Sequence, residues 1–286
     1  MTTHASRLFC FGFGYSAGML VARLRAEGWT VAGTRRSTGG DTGMQAFGPD
    51  APFQESWLEG VTHLLISIPP GADGDPALDA SGAALARRAR QFEWAGYLST
   101  TGVYGDHGGG RVDEETPLNP APGRSTWRAQ AEAGWMALYR EHGLPLHIFR
   151  LAGIYGPGRN ALENVRAGTA RRIDAPGQLF SRIHVADIAT VLRASIAAPH
   201  PGRIYNVCDD EPASGADVTA HACALLGAPL PPLTTLKDAG LGPMALSFYR
   251  DNRRVRNERI KSELGVRLAF PSYREGLAAL WEEMRT

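Results

Sequence analysis

Residues 8–20 read LFCFGFGYSAGML, and this stretch decides the fold. Its first four residues are apolar and predict a buried strand, and the apolar spacing after Ala17 predicts an amphipathic helix. Between strand and helix, Gly12, Gly14 and Ala17 match the pattern G-x-G-x-x-G/A. The first glycine permits a tight turn, the second lets the backbone approach a pyrophosphate, and the small third residue lets helix and strand pack closely. A glycine-rich connection without a ligand is the alternative interpretation.

The predicted helix would present free N–H groups and its positive dipole end to the phosphates of a dinucleotide. The expected cofactor-binding residues of this turn are Gly12, Phe13, Gly14, Tyr15, Ser16 and Ala17. The next predicted strand ends at Thr34, Arg35 and Arg36, where an NAD site usually has an acidic residue. Two guanidinium groups suit a 2′-phosphate. The sequence therefore favours NADP, with NAD as the alternative.

Apolar runs alternate with helix-like stretches over the first 150 residues, which is typical of βαβ units around a parallel sheet. We therefore predict an α/β fold, a doubly wound parallel sheet of the Rossmann type with a small C-terminal cap that binds substrate. Residues 1–160 would form the dinucleotide-binding domain, with residues 180–208 returning to the same sheet. Residues 161–179 and 209–286 would form the cap. Ile68 and Pro69, which end a buried strand, join the expected cofactor-binding set.

The composition excludes several other classes of protein. Thirty Lys and Arg against 29 Asp and Glu give a net charge of +1, so no strong field favours nucleic acid or an anionic membrane. No apolar run approaches the length of a membrane span. The histidines and the three cysteines form no pattern typical of a metal site or a disulfide framework. We expect a cytoplasmic protein without a bound metal.

Four further segments resemble one family, the extended short-chain dehydrogenases/reductases of the NAD-dependent epimerase/dehydratase group. Residues 97–105 (YLSTTGVYG) resemble its catalytic Ser/Thr strand, and residues 150–158 (RLAGIYGPG), 182–188 (RIHVADI) and 205–212 (YNVCDDEP) follow in the family's order and spacing. The glycine pattern and the chain length are most similar to an atypical subgroup, the YeeZ-like proteins. The resemblance covers nearly the whole chain but does not define a substrate.

In this family a Ser/Thr, a Tyr and a Lys four residues after it carry the chemistry. The resemblance assigns the Ser/Thr role to Thr100. It puts Arg124 at the tyrosine position and Arg128 at the lysine position, and no Tyr-x-x-x-Lys occurs anywhere in the sequence. Arg128 would still bind a cofactor ribose, but arginine stays protonated at pH 7 and cannot exchange a proton with the substrate. The usual acid/base pair is therefore missing.

Other residues are weighed as replacements or as substrate contacts. Tyr104 follows the Thr100 strand and is a catalytic candidate, although a tyrosine here is also a common structural element of the motif. Tyr155 and His184 lie in the family-like segments, and Arg253 lies in a basic run; all three are candidate substrate-binding residues. Each of the three has a purely structural alternative.

The sequence predicts an NADP-dependent oxidoreductase or epimerase acting on a small sugar-like or nucleotide-linked substrate. The alternative is a dinucleotide-binding sensor or scaffold without turnover, which signals through a protein partner. A homodimer is an expectation that comes from the family resemblance alone.

Overall fold

The computed structural model of the chain describes residues 6–37 and 43–285. Its strands are β1 (Arg7–Phe11), β2 (Thr30–Arg35), β3 (Met44–Ala46), β4 (His63–Ile66), β5 (Trp94–Thr100), β6 (Arg111–Val112), β7 (Leu146–Leu151), β8 (Gly153–Tyr155), β9 (Arg172–Asp174), β10 (Arg182–His184), β11 (Ile204–Val207), β12 (Leu233–Thr235) and β13 (Arg254–Val255). Its α-helices are α1 (Tyr15–Ala26), α2 (Pro76–Arg88), α3 (Arg124–His142), α4 (Ala161–Arg166), α5 (Val185–Ala197), α6 (Gly215–Leu226), α7 (Pro243–Phe248), α8 (Glu258–Ser262) and α9 (Tyr273–Arg285).

Seven strands form one sheet in the order β11-β7-β5-β4-β1-β2-β3, and every neighbouring pair is parallel. The order runs outward in both directions from β1, as a doubly wound sheet requires. The carboxyl ends of β1, β4 and β5 therefore lie side by side at one edge, where ligands bind in such sheets. This confirms the α/β fold predicted from the sequence.

Both faces of the sheet are buried, and alternate residues of β1 show how. Leu8 and Cys10 pack in the core beneath α1 and α5, whereas Phe9 and Phe11 pack in the core beneath α2 and α3. Successive side chains of a strand point to opposite faces, so a strand covered on both sides must be apolar throughout. The unbroken run of apolar residues in β1 has this physical cause.

The cap has a smaller core of its own, formed by α4, α6 and α9 around Tyr155, Leu162 and Tyr273. Three short parallel pairs, β8–β10, β9–β12 and β6–β13, connect segments that are far apart in sequence. No local sequence pattern predicts these pairs. Among the described residues, no helix is both long and apolar enough to cross a membrane.

Candidate functional site

The turn between β1 and α1 is held in a fixed shape by its neighbours. Gly12 has a φ of +89°, and a Cβ at this position would lie 2.7 Å from Cγ1 of Ile68. The Gly12 N–H donates to Oγ1 of Thr34 over 2.9 Å, and the Phe13 N–H donates to the Thr34 carbonyl over 2.8 Å. Residue 12 must therefore be glycine for reasons of backbone conformation and packing.

Gly14 differs from Gly12 because the fold does not explain why it is a glycine. Its backbone is extended, with φ −100° and ψ −166°, which other residues adopt freely. A Cβ there would meet only Oγ of Ser67, at an ordinary 3.9 Å. The side chain that is missing at residue 14 therefore leaves open space in front of the first turn of α1. A pyrophosphate that approaches the backbone closely would need this space.

The other predicted cofactor residues surround this turn. Ser16 and Ala17 are buried in the first turn of α1, and the Tyr15 hydroxyl donates to the Pro157 carbonyl over 2.9 Å. The Arg35 guanidinium lies 4.9 Å from the centre of the Phe13 ring, and Arg36 is exposed beside it. Ile68 packs against Gly12, and the exposed Pro69 follows at the end of the β4 segment.

Thr100 lies at the carboxyl end of β5, the third strand at this edge. Its Oγ1 accepts a hydrogen bond of 3.1 Å from the Gly102 N–H and remains free to donate. A Cβ on Gly102 would lie 3.4 Å from Thr100 Oγ1 and 3.2 Å from Oγ of Ser125, in the first turn of α3. The two hydroxyl groups therefore flank the same small space, which is open because residue 102 has no side chain.

Arg124 begins α3 and Arg128 follows one turn later. The Arg128 Nη1 donates to the Tyr97 hydroxyl over 3.0 Å and to the Leu98 carbonyl over 2.9 Å, and its guanidinium lies 5.5 Å from the centre of the Tyr97 ring. Arg128 is thus fixed against β5, two residues before Thr100. Arg124 is exposed and its Nη2 donates to Oγ of Ser247 on α7 over 3.1 Å.

A buried polar network lies behind this edge. Glu132 accepts from Arg150 through both of its oxygens, at 2.7–3.2 Å, and from the Ser99 hydroxyl at 2.5 Å. Arg150 Nη1 also donates to the Tyr104 hydroxyl, which donates to Oδ1 of Asn206. Burial raises the pKa of Tyr104, against the opposing charge of Arg150. The Tyr104 hydroxyl, fully buried, is therefore bonded within the protein in both directions.

Comparison with known proteins identifies relatives over most of the chain. Protein YeeZ of Escherichia coli K12 is 26% identical over 279 residues, which cover 91% of this chain and 94% of that protein. A 3-diazoavenalumate denitrifying reductase of a Streptomyces species is 32% identical over 183 residues, 58% of each chain. A conserved protein of unknown function from Silicibacter pomeroyi has a solved structure with 52% identity, a TM-score of 0.91 and coverage of 98% of this chain and 99% of that one. No protein-family model matches the chain.

These relatives are consistent with an extended short-chain dehydrogenase/reductase. Solved structures that are less similar in sequence share the fold of the chain. A dTDP-glucose 4,6-dehydratase from Bacillus anthracis, solved with NAD, superposes with a TM-score of 0.75 at 19% identity over 98% of this chain and 97% of that one. The human epimerase family protein SDR39U1, solved with NADPH, superposes with a TM-score of 0.74 at 17% identity over 96% and 99%.

Of the three predicted substrate residues, two are buried side chains and the third is bonded within the protein. Tyr155 and His184 are buried against each other beneath α9, with ring centres 5.2 Å apart. Burial lowers the pKa of His184 to about 4, so its ring is neutral at pH 7, and its Nδ1 accepts from the Ala186 N–H at the start of α5. Arg253 donates to the Gly105 carbonyl and pairs with Asp251 at 3.2 Å.

Two hydroxyl groups at the site were not among the residues singled out from the sequence. Ser67, just after β4, faces Gly14, and Ser125 faces Thr100. Isolated serines carry no sequence pattern, and only the positions of β4 and α3 at the edge of the sheet reveal them. Within residues 6–37 and 43–285, no group of three or more His, Cys, Asp or Glu side chains is placed to hold a metal ion.

Proposed function

We propose that the chain binds NADP(H) across the carboxyl ends of β1 and β4 and uses it to reduce a small molecule held at Thr100. The nicotinamide, when bound, supplies or accepts the hydride. The protein's own residues hold the dinucleotide, orient the reacting group and stabilise the charge that develops on it.

The open space at Gly14 is the observation that carries this proposal. Neither backbone conformation nor packing requires glycine at residue 14. Close approach of a ligand to the backbone would explain why this residue has no side chain. The turn also directs the start of α1 toward this space, and no side chain caps that helix. Backbone N–H groups and the helix dipole would there contact the pyrophosphate.

The preference for NADP over NAD rests on Arg35 and Arg36. Arg35 ends β2 and Arg36 follows it, next to the Thr34 that fixes the glycine turn. No acidic residue stands between Thr34 and Asp41 to bind a free ribose 2′-hydroxyl. Guanidinium groups bind phosphate oxygens in pairs, which suits a 2′-phosphate at this position.

For catalysis we propose Thr100 and Ser125 as hydrogen-bond donors to the substrate oxygen or nitrogen that gains charge. Arg128, which α3 carries and β5 fixes through the Leu98 carbonyl, would supply positive charge next to the cofactor ribose. We leave Tyr104 and Arg253 out of this set because their polar atoms are bonded within the protein. Tyr155 and His184 remain predictions as substrate contacts, and their burial gives them a packing role at the cap.

Reduction fits these groups better than epimerisation. Removing a proton from a substrate carbon needs a base, and the donors here are hydroxyl groups and arginines that stay protonated. A hydride acceptor can take its proton from water. The name of one relative, a denitrifying reductase, also describes a reduction. The sugar-like or nucleotide-linked substrate predicted from the sequence is compatible with this chemistry.

The first test measures binding of NADPH and NADH to the purified protein by nicotinamide fluorescence. We expect NADPH to bind at least tenfold more tightly, about 1.4 kcal/mol. Gly14→Val should abolish binding of both while the free energy of unfolding changes by no more than about 1 kcal/mol. Gly12→Val is the contrasting variant, which should destabilise the fold as well. Tight NADPH binding by the Gly14→Val protein would overturn the proposed cofactor site.

A dinucleotide sensor without turnover is the second candidate, favoured by one observation: the sequence contains no Tyr-x-x-x-Lys. NADPH oxidation that depends on a substrate and falls at least about 100-fold in Thr100→Val would establish the enzyme. An oligomeric state that changes with NADPH, without turnover of any substrate offered, would establish the sensor.

A further inference from the structure

The first turn of α3 presents a guanidinium that the fold does not require. Arg124 is exposed, and its partners in the described chain are Oγ of Ser247, at 3.1 Å, and the ring of Phe248, whose centre lies 5.9 Å from the guanidinium carbon. Both partners belong to α7 in the cap, and no described carboxylate pairs with Arg124. The Arg124 side chain therefore spans the gap between the sheet domain and the cap.

The first turn of α3 also borders the reacting end of the proposed site. Ser125 follows Arg124 directly, and its hydroxyl, which has no hydrogen-bond partner in the described residues, shares the space at Gly102 with Thr100. Arg128 lies one turn further along α3, on the same face as Arg124. Arg124 and Ser125 thus share the first turn of α3, which also borders the space beside Thr100.

The cap side of the gap is apolar. Met244 is 64% exposed and Phe248 is 59% exposed, and both flank the Ser247 that Arg124 contacts. α7 buries none of its own residues. A ligand that enters here meets one guanidinium and one hydroxyl group, bordered by a thioether and an aromatic ring.

We propose that Arg124 binds the carboxylate of the substrate, and that the substrate is a small organic acid with an apolar or aromatic body. This rests on the proposed function, because Thr100 marks the end of the substrate that reacts. A single guanidinium pairs with a carboxylate through two parallel hydrogen bonds. In the family pattern this position holds the catalytic tyrosine, so the group that would exchange a proton is replaced by one that holds charge.

A nucleoside diphosphate is the competing anion, and the cap is poorly equipped for it. Arg253 is paired with Asp251, and Arg182 donates to the carbonyls of Phe180 and Ala213. Arg128 is bonded to β5. Arg124 is left as the guanidinium at the gap that no described carboxylate or carbonyl occupies, which suits one negative charge better than two or three.

The test is calorimetric titration of the full-length protein with trans-cinnamate, with the neutral trans-cinnamamide and with UDP, each in the presence and in the absence of NADP⁺. The variants are Arg124→Gln and the matched control Arg140→Gln. Arg140 is an exposed arginine at the other end of the same helix, so the control makes the same change of charge.

We expect the unaltered protein and Arg140→Gln to bind cinnamate with equal affinity and Arg124→Gln to bind it at least tenfold more weakly. Cinnamamide should bind at least tenfold more weakly than cinnamate to the unaltered protein. Equal cinnamate binding by the two variants, equal binding of the amide, tighter binding of UDP, or no cinnamate binding up to about 10 mM would each overturn the proposal. The titrations without NADP⁺ do not depend on the cofactor site. A failure of Arg124-dependent cinnamate binding in a protein that still binds NADP⁺ would therefore contradict the carboxylate proposal and leave the proposed cofactor site standing.

Discussion

The glycine turn after β1 and the first turns of α3 lie at the same edge of the sheet, yet they keep different parts of the family pattern. At the glycine turn, Gly12, Gly14 and Thr34 have the geometry that a dinucleotide site needs. At α3, the family resemblance predicts that Arg124 and Arg128 take the positions of the tyrosine and the lysine. Dinucleotide binding depends on backbone shape, whereas proton exchange depends on two side chains at a helix surface. The second property can therefore change without disturbing the first.

The polar network behind α3 is nevertheless hydrogen-bonded around a buried ion pair. The prediction with the largest expected effect tests how much this pair stabilises the fold. Arg150 and Glu132 are about 3% and 5% exposed and form a bidentate pair that also binds Ser99 and Tyr104. Arg150→Met leaves the Glu132 carboxylate buried without its partner. We expect the free energy of unfolding in urea to fall by about 3–5 kcal/mol, because an unpaired buried charge is strongly destabilising.

The double variant Arg150→Met, Glu132→Leu is the control for this prediction. It removes both charges together, so we expect it to recover a substantial part of the stability lost in Arg150→Met. Destabilisation of less than about 1 kcal/mol in Arg150→Met would mean that the pair is dispensable. The polar network behind α3 would then contribute little to stability. The first turns of α3 would differ from the glycine turn because they had lost the interactions of a catalytic site.

The sequence predicted the glycine turn well because its determinants are local. Gly12, Gly14 and the strand end at Thr34 lie within about one βαβ unit, and each has a pattern with a physical cause. The strand pairs of the cap could not be predicted from the sequence in the same way. Its strands are two or three residues long, and about half of the chain separates β6 from β13, which pair with each other. No local periodicity encodes such a contact.

The same difference applies to side chains at the site. Arg128 was expected at the cofactor ribose, and the structure adds that β5 fixes it through the Leu98 carbonyl. Tyr104 was singled out by its position after Thr100, but its direction depends on Arg150 and Asn206, which reach it from β7 and β11. The sequence predicts the position of a residue on a strand. The hydrogen-bond partner of its side chain depends on tertiary packing.

The contact between the sheet and the cap provides the second prediction. Asp209 is buried directly after β11, and neither carboxylate oxygen has a hydrogen-bond partner in the described structure. Burial raises the pKa of Asp209 to about 8, against the opposing charge of Arg182. The folded chain therefore holds a proton that the unfolded chain loses near pH 4, and stability should fall as the pH rises from about 4 to 8.

Urea unfolding at pH 5, 7 and 9 measures this effect, with Asp209→Asn as the matched variant. Relative to Asp209→Asn, the unaltered protein should lose about 4 kcal/mol between pH 5 and pH 9, with the loss levelling off above about pH 8. A stability difference between the two proteins that does not change with pH would show that Asp209 is already ionised in the fold. The charge of Asp209 at the cap would then be stabilised by its surroundings, as the charge of Glu132 is by Arg150.

The prediction with the smallest expected effect concerns Arg36, next to the glycine turn, and tests whether its guanidinium binds the 2′-phosphate of NADP. Arg36 is exposed at the end of β2, and Arg36→Gln should leave the fold unchanged. If its guanidinium binds the 2′-phosphate, the variant should bind NADPH about tenfold more weakly, about 1.4 kcal/mol, and NADH with unchanged affinity. Arg140→Gln makes the same change of net charge far from this strand and should alter neither. An equal loss for NADPH and NADH would mean that Arg36 contacts a part common to both, and NADP selectivity would then rest on Arg35, which packs on Phe13.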